Sequence, residues 1–249
     1  MVMNCSGIIH LAAVSRVVWG ERDPDLCWQV NVTGTRVVFE SARAARTQPW
    51  VLVASSREVY GETTVLPVTE DAPIRPVNVY GQSKAAAERI QREAAADGLR
   101  TAIVRFSGVY GSVQDHADRV VPAFARAAAE GSTLLVNGRD RTFDFAHLDD
   151  VTQGVLQMVG MLDAGEDALP PIQLCTGEAT SLQNLAEIAN AAGGHLGRLA
   201  FRPGRRYEVT RFVGDPTRAL RVLGWQPAVG IREGVARLVR AFAALTVAG

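Results

Sequence analysis

A chain of 249 residues, 47% apolar and 21% charged, is long enough to bury a full hydrophobic core and has the composition of a folded protein, not a disordered one. Its 26 basic and 26 acidic side chains cancel, so there is no electrostatic footprint for nucleic acid or for an anionic membrane surface. The three cysteines, Cys5, Cys27 and Cys175, are scattered, which argues against a disulfide framework and a thiolate metal site and for a reducing, cytoplasmic setting.

The first element predicted is a buried strand over residues 8–13, ending in small side chains. It has no basic leader and is interrupted by His10, so it is not a signal peptide, and no run in the chain approaches the ~18 apolar residues of a membrane span. Residues 31–46 have helical periodicity in Val32, Val37, Val38, Ala42 and Ala45. A second strand is expected over 50–54. An alanine-rich helix follows over 80–96, with Glu88 and Arg92 one turn apart, and then a third strand over 101–106 with a turn at 108–111. Strands alternating with helices predict parallel βα units in a doubly wound α/β sheet, and strands that read as continuous apolar runs fit a sheet covered on both faces.

Beyond residue 112 the pattern shifts. Helices are expected over 119–130, 151–162 (led in by Asp149 and Asp150), 182–192 (capped by Ser181) and 230–245, with short strands over 133–136 and 172–175. The stretch "FRPGRRYEV" reads as a basic loop, and "AAGGHLGRL" as a helix C-cap loop. The expected organisation is a sheet domain over 1–112, to which about 143–162 returns, and a smaller lobe over 113–249.

Three stretches carry candidate chemistry: "ASSREVYGE" (54–62), "NVYGQSKAAAE" (78–88) and "RFSGVYG" (105–111). All fall at the carboxyl ends of predicted strands, where open α/β sheets bind ligands. Tyr80 and Lys84, four apart on a helix, share a face with Cβ atoms about 5–6 Å apart. A free tyrosine, with a pKa of about 10, is a poor base at neutral pH, and a nearby ammonium favours its phenolate. The hydroxyl of Ser55 or Ser56 could bond the same substrate oxygen, so that the group moves a proton on and off a carbinol while a cofactor exchanges hydride. Y-x-x-x-K on a helix is common and a Ser-Ser pair is an ordinary turn; their order along the chain is what carries the argument. The four histidines, His10, His116, His147 and His195, read as structural or loop residues.

With these motifs in this order, the chain resembles the extended short-chain dehydrogenase/reductases of the NAD-dependent epimerase/dehydratase family. "IIHLAAVSRV", "NVTGTRVVFESAR", "SSREVYG", "YGQSKAAAE", "VVPAFARAAAEG", "FDFAHLDDV" and "LGWQP" each match a family signature. The resemblance implies a Rossmann-like sheet, NAD as cofactor (with NADP not excluded), a nucleotide-sugar substrate and a homodimer formed through the helices at 31–46 and 80–96. It implies that Tyr80 moves the proton of the sugar 4-hydroxyl, that Lys84 holds the nicotinamide ribose and lowers the tyrosine pKa, and that Ser56, four residues before Tyr60, bonds the 4-oxygen. Leu11, Ala12, Ala13, Asn31, Ser55 and Phe106 join Tyr80 and Lys84 in facing the cofactor; Ser15, Gly108, Val109, Arg141 and Arg205 face the substrate.

The departures from the family are specific. No G-x-G-x-x-G occurs, so two βα units of about 30 residues each, with the cofactor's phosphate seat, are expected to be missing from this sequence. Gly108 replaces a common Asn, Phe143 a common Arg and Asn137 a frequent aromatic. Where 4,6-dehydratases carry Asp-Glu after the catalytic hydroxyl, this chain carries Arg57-Glu58, which keeps a candidate catalytic carboxylate but no acid beside it. Three readings follow: a nucleotide-sugar epimerase, inactive without the phosphate seat; a dehydratase or reductase on the same scaffold; and a short form without an NAD site that acts as a binding or regulatory partner.

Overall fold

The structure, a computed structural model, describes residues 5–167, 169–205, 207 and 209–247. In chain order it forms β1 (Gly7–His10), α1 (Val17–Arg22), α2 (Pro24–Trp28), a wide turn of π-helix over Gln29–Thr33, α3 (Gly34–Ala44), β2 (Trp50–Ser56), a 3-10 turn over Arg57–Val59, α4 (Val79–Ala96), β3 (Thr101–Phe106) and β4 (Gly108–Tyr110). Then come α5 (Val120–Ala129), β5 (Leu134–Asn137), β6 (Thr142–Phe143), β7 (Phe145–His147), α6 (Leu148–Asp163), β8 (Ile172–Leu174), β9 (Thr180–Ser181), α7 (Leu182–Ala192), β10 (Leu199–Arg202), α8 (Thr217–Leu223) and α9 (Ile231–Val247).

The central sheet is parallel, in the order β1-β2-β3-β8. Every residue of β2 is buried, as expected of a strand covered on both faces. Alternation divides its side chains: Val51 and Val53 pack with Ile103 against α3 and α4, while Leu52 and Ala54 pack with Ala102 and Val104 against α6. A third core joins α5, α7 and α9 around Phe124, Leu134, Leu185 and Leu238 in the C-terminal lobe. Asp144 ties the lobe's connections together: its buried carboxylate accepts from the backbone N–H of Thr176 (2.8 Å), Gly177 (2.8 Å) and Gly214 (3.3 Å).

Several elements differ from the sequence expectation. The first strand stops at His10, because residues 11–15 turn away toward the site. The helix expected over 31–46 begins inside the π turn and ends at Ala44. The expected turn at 108–111 is the strand β4, paired with β7 from Gly108↔Phe145 to Tyr110↔His147. Residues 172–174, expected in the lobe, are the fourth strand of the central sheet. Asp149 and Asp150 lie within the first turn of α6, not before it, and His147 is the cap, its Nδ1 accepting from Asp149 N–H at 3.2 Å. The first two residues of the expected basic loop complete β10, and three short helices, α1, α2 and α8, went unpredicted.

Glu88 on α4 does meet Arg92 (3.3 Å), but its main partner is Arg105 on β3, through bonds of 2.8 and 2.7 Å to the two carboxylate oxygens. The two side chains are 1% and 3% exposed. Burial alone would raise the Glu88 pKa; the Arg105 bonds outweigh it and hold the carboxyl below its ordinary range. Removing one partner of such a pair leaves a buried charge without compensation. Glu88→Ala is therefore expected to cost about 3–5 kcal/mol, read as a lowered urea midpoint at unchanged m-value.

Candidate active site

At the carboxyl end of β2 the pleat sends neighbouring hydroxyls in different directions. Ser55 Oγ donates to Glu88 Oε1 at 2.6 Å and is thereby committed to the buried pair. Ser56 Oγ accepts the Glu58 N–H at 3.2 Å and lies beside Tyr80. The two serines, equivalent in sequence, are thus separated in role by strand alternation, and Ser56 is the hydroxyl next to the tyrosine.

Helix α4 starts at Asn78, whose Oδ1 caps Gly81 N–H at 2.8 Å while its Nδ2 donates to Glu58 Oε2 at 2.8 Å. Gly81 lets this joint close, since a Cβ there would stand 2.6 Å from the Glu58 carbonyl oxygen. Arg57 Nη2 meets the other Glu58 oxygen at 3.0 Å. Both carboxylate oxygens of Glu58 are therefore taken by groups that fix the start of α4 to the Ser56 turn.

One turn further along, Lys84 Nζ donates to the Ala54 carbonyl at 2.9 Å and lies 5.9 Å from the centroid of the Tyr80 ring. Burial pushes Lys84 down to about 8, with the Cys27 sulfur opposing. Burial also pushes Tyr80 up to about 12, with the Ser56 hydrogen bond pulling back and the Glu58 charge adding to the rise. At both groups burial is the largest influence on the pKa.

These groups line a cavity of about 900 Å³ between the sheet and the lobe. Leu11, Ala13, Phe106 and Ser55 lie in its wall on the sheet side, and Ser15, Gly108, Val109, Arg141 and Arg205 also face it. Ala12 and Asn31, both expected at the cofactor, are not part of the lining. Ala12 is exposed outside it, and Asn31, 1% exposed, turns its amide inward. Its Oδ1 accepts from Val14 N–H (2.7 Å) and its Nδ2 donates to Ser83 Oγ (2.9 Å) and to the Val14 carbonyl (3.0 Å), so it holds the 13–15 loop in shape.

Gly108 has no room for a side chain, because a Cβ would lie 2.7 Å from the Phe145 ring and 2.9 Å from the Asp144 carbonyl. Phe143 carries the Arg57 guanidinium on its face at 4.5 Å. Arg141 donates to the Arg205 carbonyl, and both residues line the cavity. Arg16 and Asp118, both in the lining, pair with each other (Nη2 to Oδ2 3.1 Å), and Trp19 meets His116 edge to face at 4.6 Å. Sequence reasoning missed Arg16, Asp118 and Ser107 in the lining; nothing local signals a contact between residues 102 apart, such as Arg16 and Asp118. His10 is structural as expected, its Nε2 3.0 Å from Thr35 Oγ1. Among the described residues no cluster of three metal-ligating side chains occurs, and no helix is long and apolar enough to cross a membrane.

A parallel α/β sheet with a serine, a tyrosine and a lysine gathered over the carboxyl ends of its strands defines a dehydrogenase-type site of the short-chain class. Residues 2–169 match the model of the NAD dependent epimerase/dehydratase family. The UDP-glucose 4-epimerase of Mycolicibacterium smegmatis is 33% identical over 240 residues, covering 94% of this chain and 75% of that protein. The chain belongs to the NAD-dependent epimerase/dehydratase family. Among solved structures, the UDP-glucose 4-epimerase of Thermotoga maritima with UDP-glucose superposes at a TM-score of 0.88 with 26% identity, over 97% of this chain and 78% of that one. MoeE5 in complex with UDP-glucose and NAD gives 0.87 and 28%, over 99% and 81%.

The Lys84 environment predicts a pH dependence. Below about pH 8 the lysine is protonated in both the folded and the unfolded chain, and the cost of burying its charge is fully present. Between about 8 and its ordinary 10.5 the unfolded chain keeps a proton that the folded one has lost, so stability rises with pH. Lys84→Met is therefore expected to stabilise the fold at pH 7, by an amount that shrinks from pH 8 to pH 10.5. Urea denaturation of both proteins across that range measures it.

Proposed function

We propose that this chain is a nucleotide-sugar 4-epimerase that works with NAD. The observation that carries the reading is the stacking of Tyr80 and Lys84, one turn apart, over Ser56 in a cavity of about 900 Å³. Its membership of the family and the activities named for its relatives support the same reading.

The residues present fit the nicotinamide end of the cofactor. The Lys84 ammonium keeps two N–H groups beyond the one given to Ala54, enough to hold a ribose diol, and the small Ala13 and Ala54 leave that side of the cavity open. The sequence has no glycine-rich turn for the pyrophosphate. Bound there, NAD would supply reversible hydride acceptance at the sugar C4 carbon.

Tyr80 takes the proton of the 4-hydroxyl as hydride leaves and returns it afterwards, while Ser56 donates to the same oxygen. Protonated Lys84 supplies the positive charge that a phenolate needs in this buried setting, where its own pKa of about 8 leaves it charged at neutral pH. Loss of a positioned acid–base group costs typically 10²–10⁴-fold. Tyr80→Phe is accordingly expected to lower kcat for interconversion of UDP-glucose and UDP-galactose by about 10²–10⁴-fold with little change in KM; full turnover in that variant would sink the assignment.

Glu58 decides between epimerisation and dehydration. A dehydratase needs this carboxylate free to take the C5 proton, whereas here it is bonded to both Asn78 and Arg57. Glu58→Gln keeps an acceptor for Asn78 and is expected to retain turnover within about tenfold, against the 10²-fold or greater loss of removing a general base. The wild-type protein is expected to release no 4-keto-6-deoxy sugar, measured by mass spectrometry of the products.

A further inference from the structure

The start of α4 is held from two sides. The first N–H groups of a helix have no partner within it. Asn78, the helix's own cap, takes that of Gly81, and Glu21 reaches across from α1 to take that of Val79 at 2.8 Å. Val79 is the first residue of α4 and Tyr80 the second. A cap from the same segment stabilises a helix; a carboxylate brought from 58 residues away also fixes where that helix begins. The end of α1 lies directly against the tyrosine, since a Cβ on the buried Gly20 would stand 3.2 Å from Tyr80 N and 3.4 Å from its Cβ.

The other end of α1 is tied to the lobe. Arg16 is its N-cap residue, yet the side chain makes no capping bond. Its guanidinium lies 5.7 Å from the Trp19 ring centroid and donates through Nη1 and Nη2 to the Asp118 carboxylate, the second at 3.1 Å. Trp19 adds the edge-to-face contact with His116. Residues 116 and 118 belong to the segment that leads into α5, and α5 is part of the lobe's core. A helix of six residues thus meets the lobe at its beginning and the start of α4 at its end. So short a rigid element passes a displacement from one end to the other.

We propose that Glu21 is a positioning residue for Tyr80, and that through it α1 carries the seating of the 116–118 segment to the tyrosine. The proposal rests on the assignment of Tyr80 made above. Glu21 is not in the cavity lining; it acts by holding the backbone from which the phenol projects. A misplacement of about 1 Å at such a group costs on the order of 10²-fold in rate.

Two measurements test it: steady-state kinetics of UDP-glucose and UDP-galactose interconversion, and NMR of protein isotope-labelled at tyrosine Cζ. The Tyr80 signal is identified by its absence in Tyr80→Phe. Glu21→Ala is expected to move that signal and to lower kcat by about 10–10²-fold with KM within about twofold. Glu21→Gln, which keeps an oxygen for the Val79 N–H, should restore both close to wild type. Asp118→Ala, at a side chain 62% exposed, should move the same signal and lower kcat. The double variant should lose no more than Glu21→Ala alone, because the two residues act along one path. A Tyr80 signal unmoved by Glu21→Ala, a Glu21→Gln as impaired as Glu21→Ala, or losses that multiply in the double variant would each overturn the proposal and leave the epimerase reading standing. Absence of turnover in wild type would overturn that reading instead, with the Tyr80 signal still deciding the role of Glu21.

Discussion

One guanidinium sets the geometry of this site. Arg105 on β3 grips the Glu88 carboxylate on α4 through two bonds, and Ser55 at the end of β2 donates to the same carboxylate at 2.6 Å. The remaining donors of Arg105 reach the Tyr60 hydroxyl (2.9 Å) and the Glu70 carbonyl (2.8 Å), and Tyr60 passes the connection to Gln173 on β8 at 3.3 Å. Three strands, the α4 helix and the connection after β2 therefore share one buried charge. Such a pair gains little over a well-packed hydrophobic replacement, and its loss by halves is costly. What it supplies is register. Glu88 lies one helical turn beyond Lys84 and two beyond Tyr80, so fixing it to β3 fixes the height of both over Ser56.

Burial then acts on the two titrating groups in opposite senses. It moves Lys84 down to about 8 and Tyr80 up to about 12, because in each case the charged form is the one penalised. The lysine still carries its charge at neutral pH, but close to the point of losing it, while the tyrosine is held as a neutral hydroxyl.

What the sequence made legible follows from range. Tyr80 with Lys84 is a helical spacing, and Ser56 is a strand end; both are local patterns, and the structure brings all three to one cavity. The continuous apolar run of β2 was readable for the same reason. Two short helices carried signals that went unread: Asp23 before Pro24, whose carboxylate caps Leu26 N–H at 3.0 Å, and Asp215-Pro216 before α8, which ends on Gly224 at φ 67°. The inward turn of the Asn31 amide, the Arg16–Asp118 contact and the seat of Arg57 on Phe143 depend on segments far apart in the chain, and no periodicity reports them.

Three of the departures from the family pattern turn out to be one packing arrangement. Phe145 occupies the space a side chain at 108 would need, which makes glycine obligatory there. Phe143 packs edge to face on Phe145 at 6.3 Å and offers its own face to Arg57 at 4.5 Å. An arginine at 143 could not support Arg57 in this way, since two guanidinium groups would meet where a ring and a cation now attract. An acid at 57 would in turn lose the stack and repel Glu58 beside it. The arginine that the family pattern led one to expect at 143 is thus a phenylalanine, and an arginine stands instead at 57, directly after Ser56. Residues 57, 108 and 143 are mutually constrained through Phe145, and the family-pattern residue at any one of the three alone would put a clash or an unpaired charge into the wall of the site.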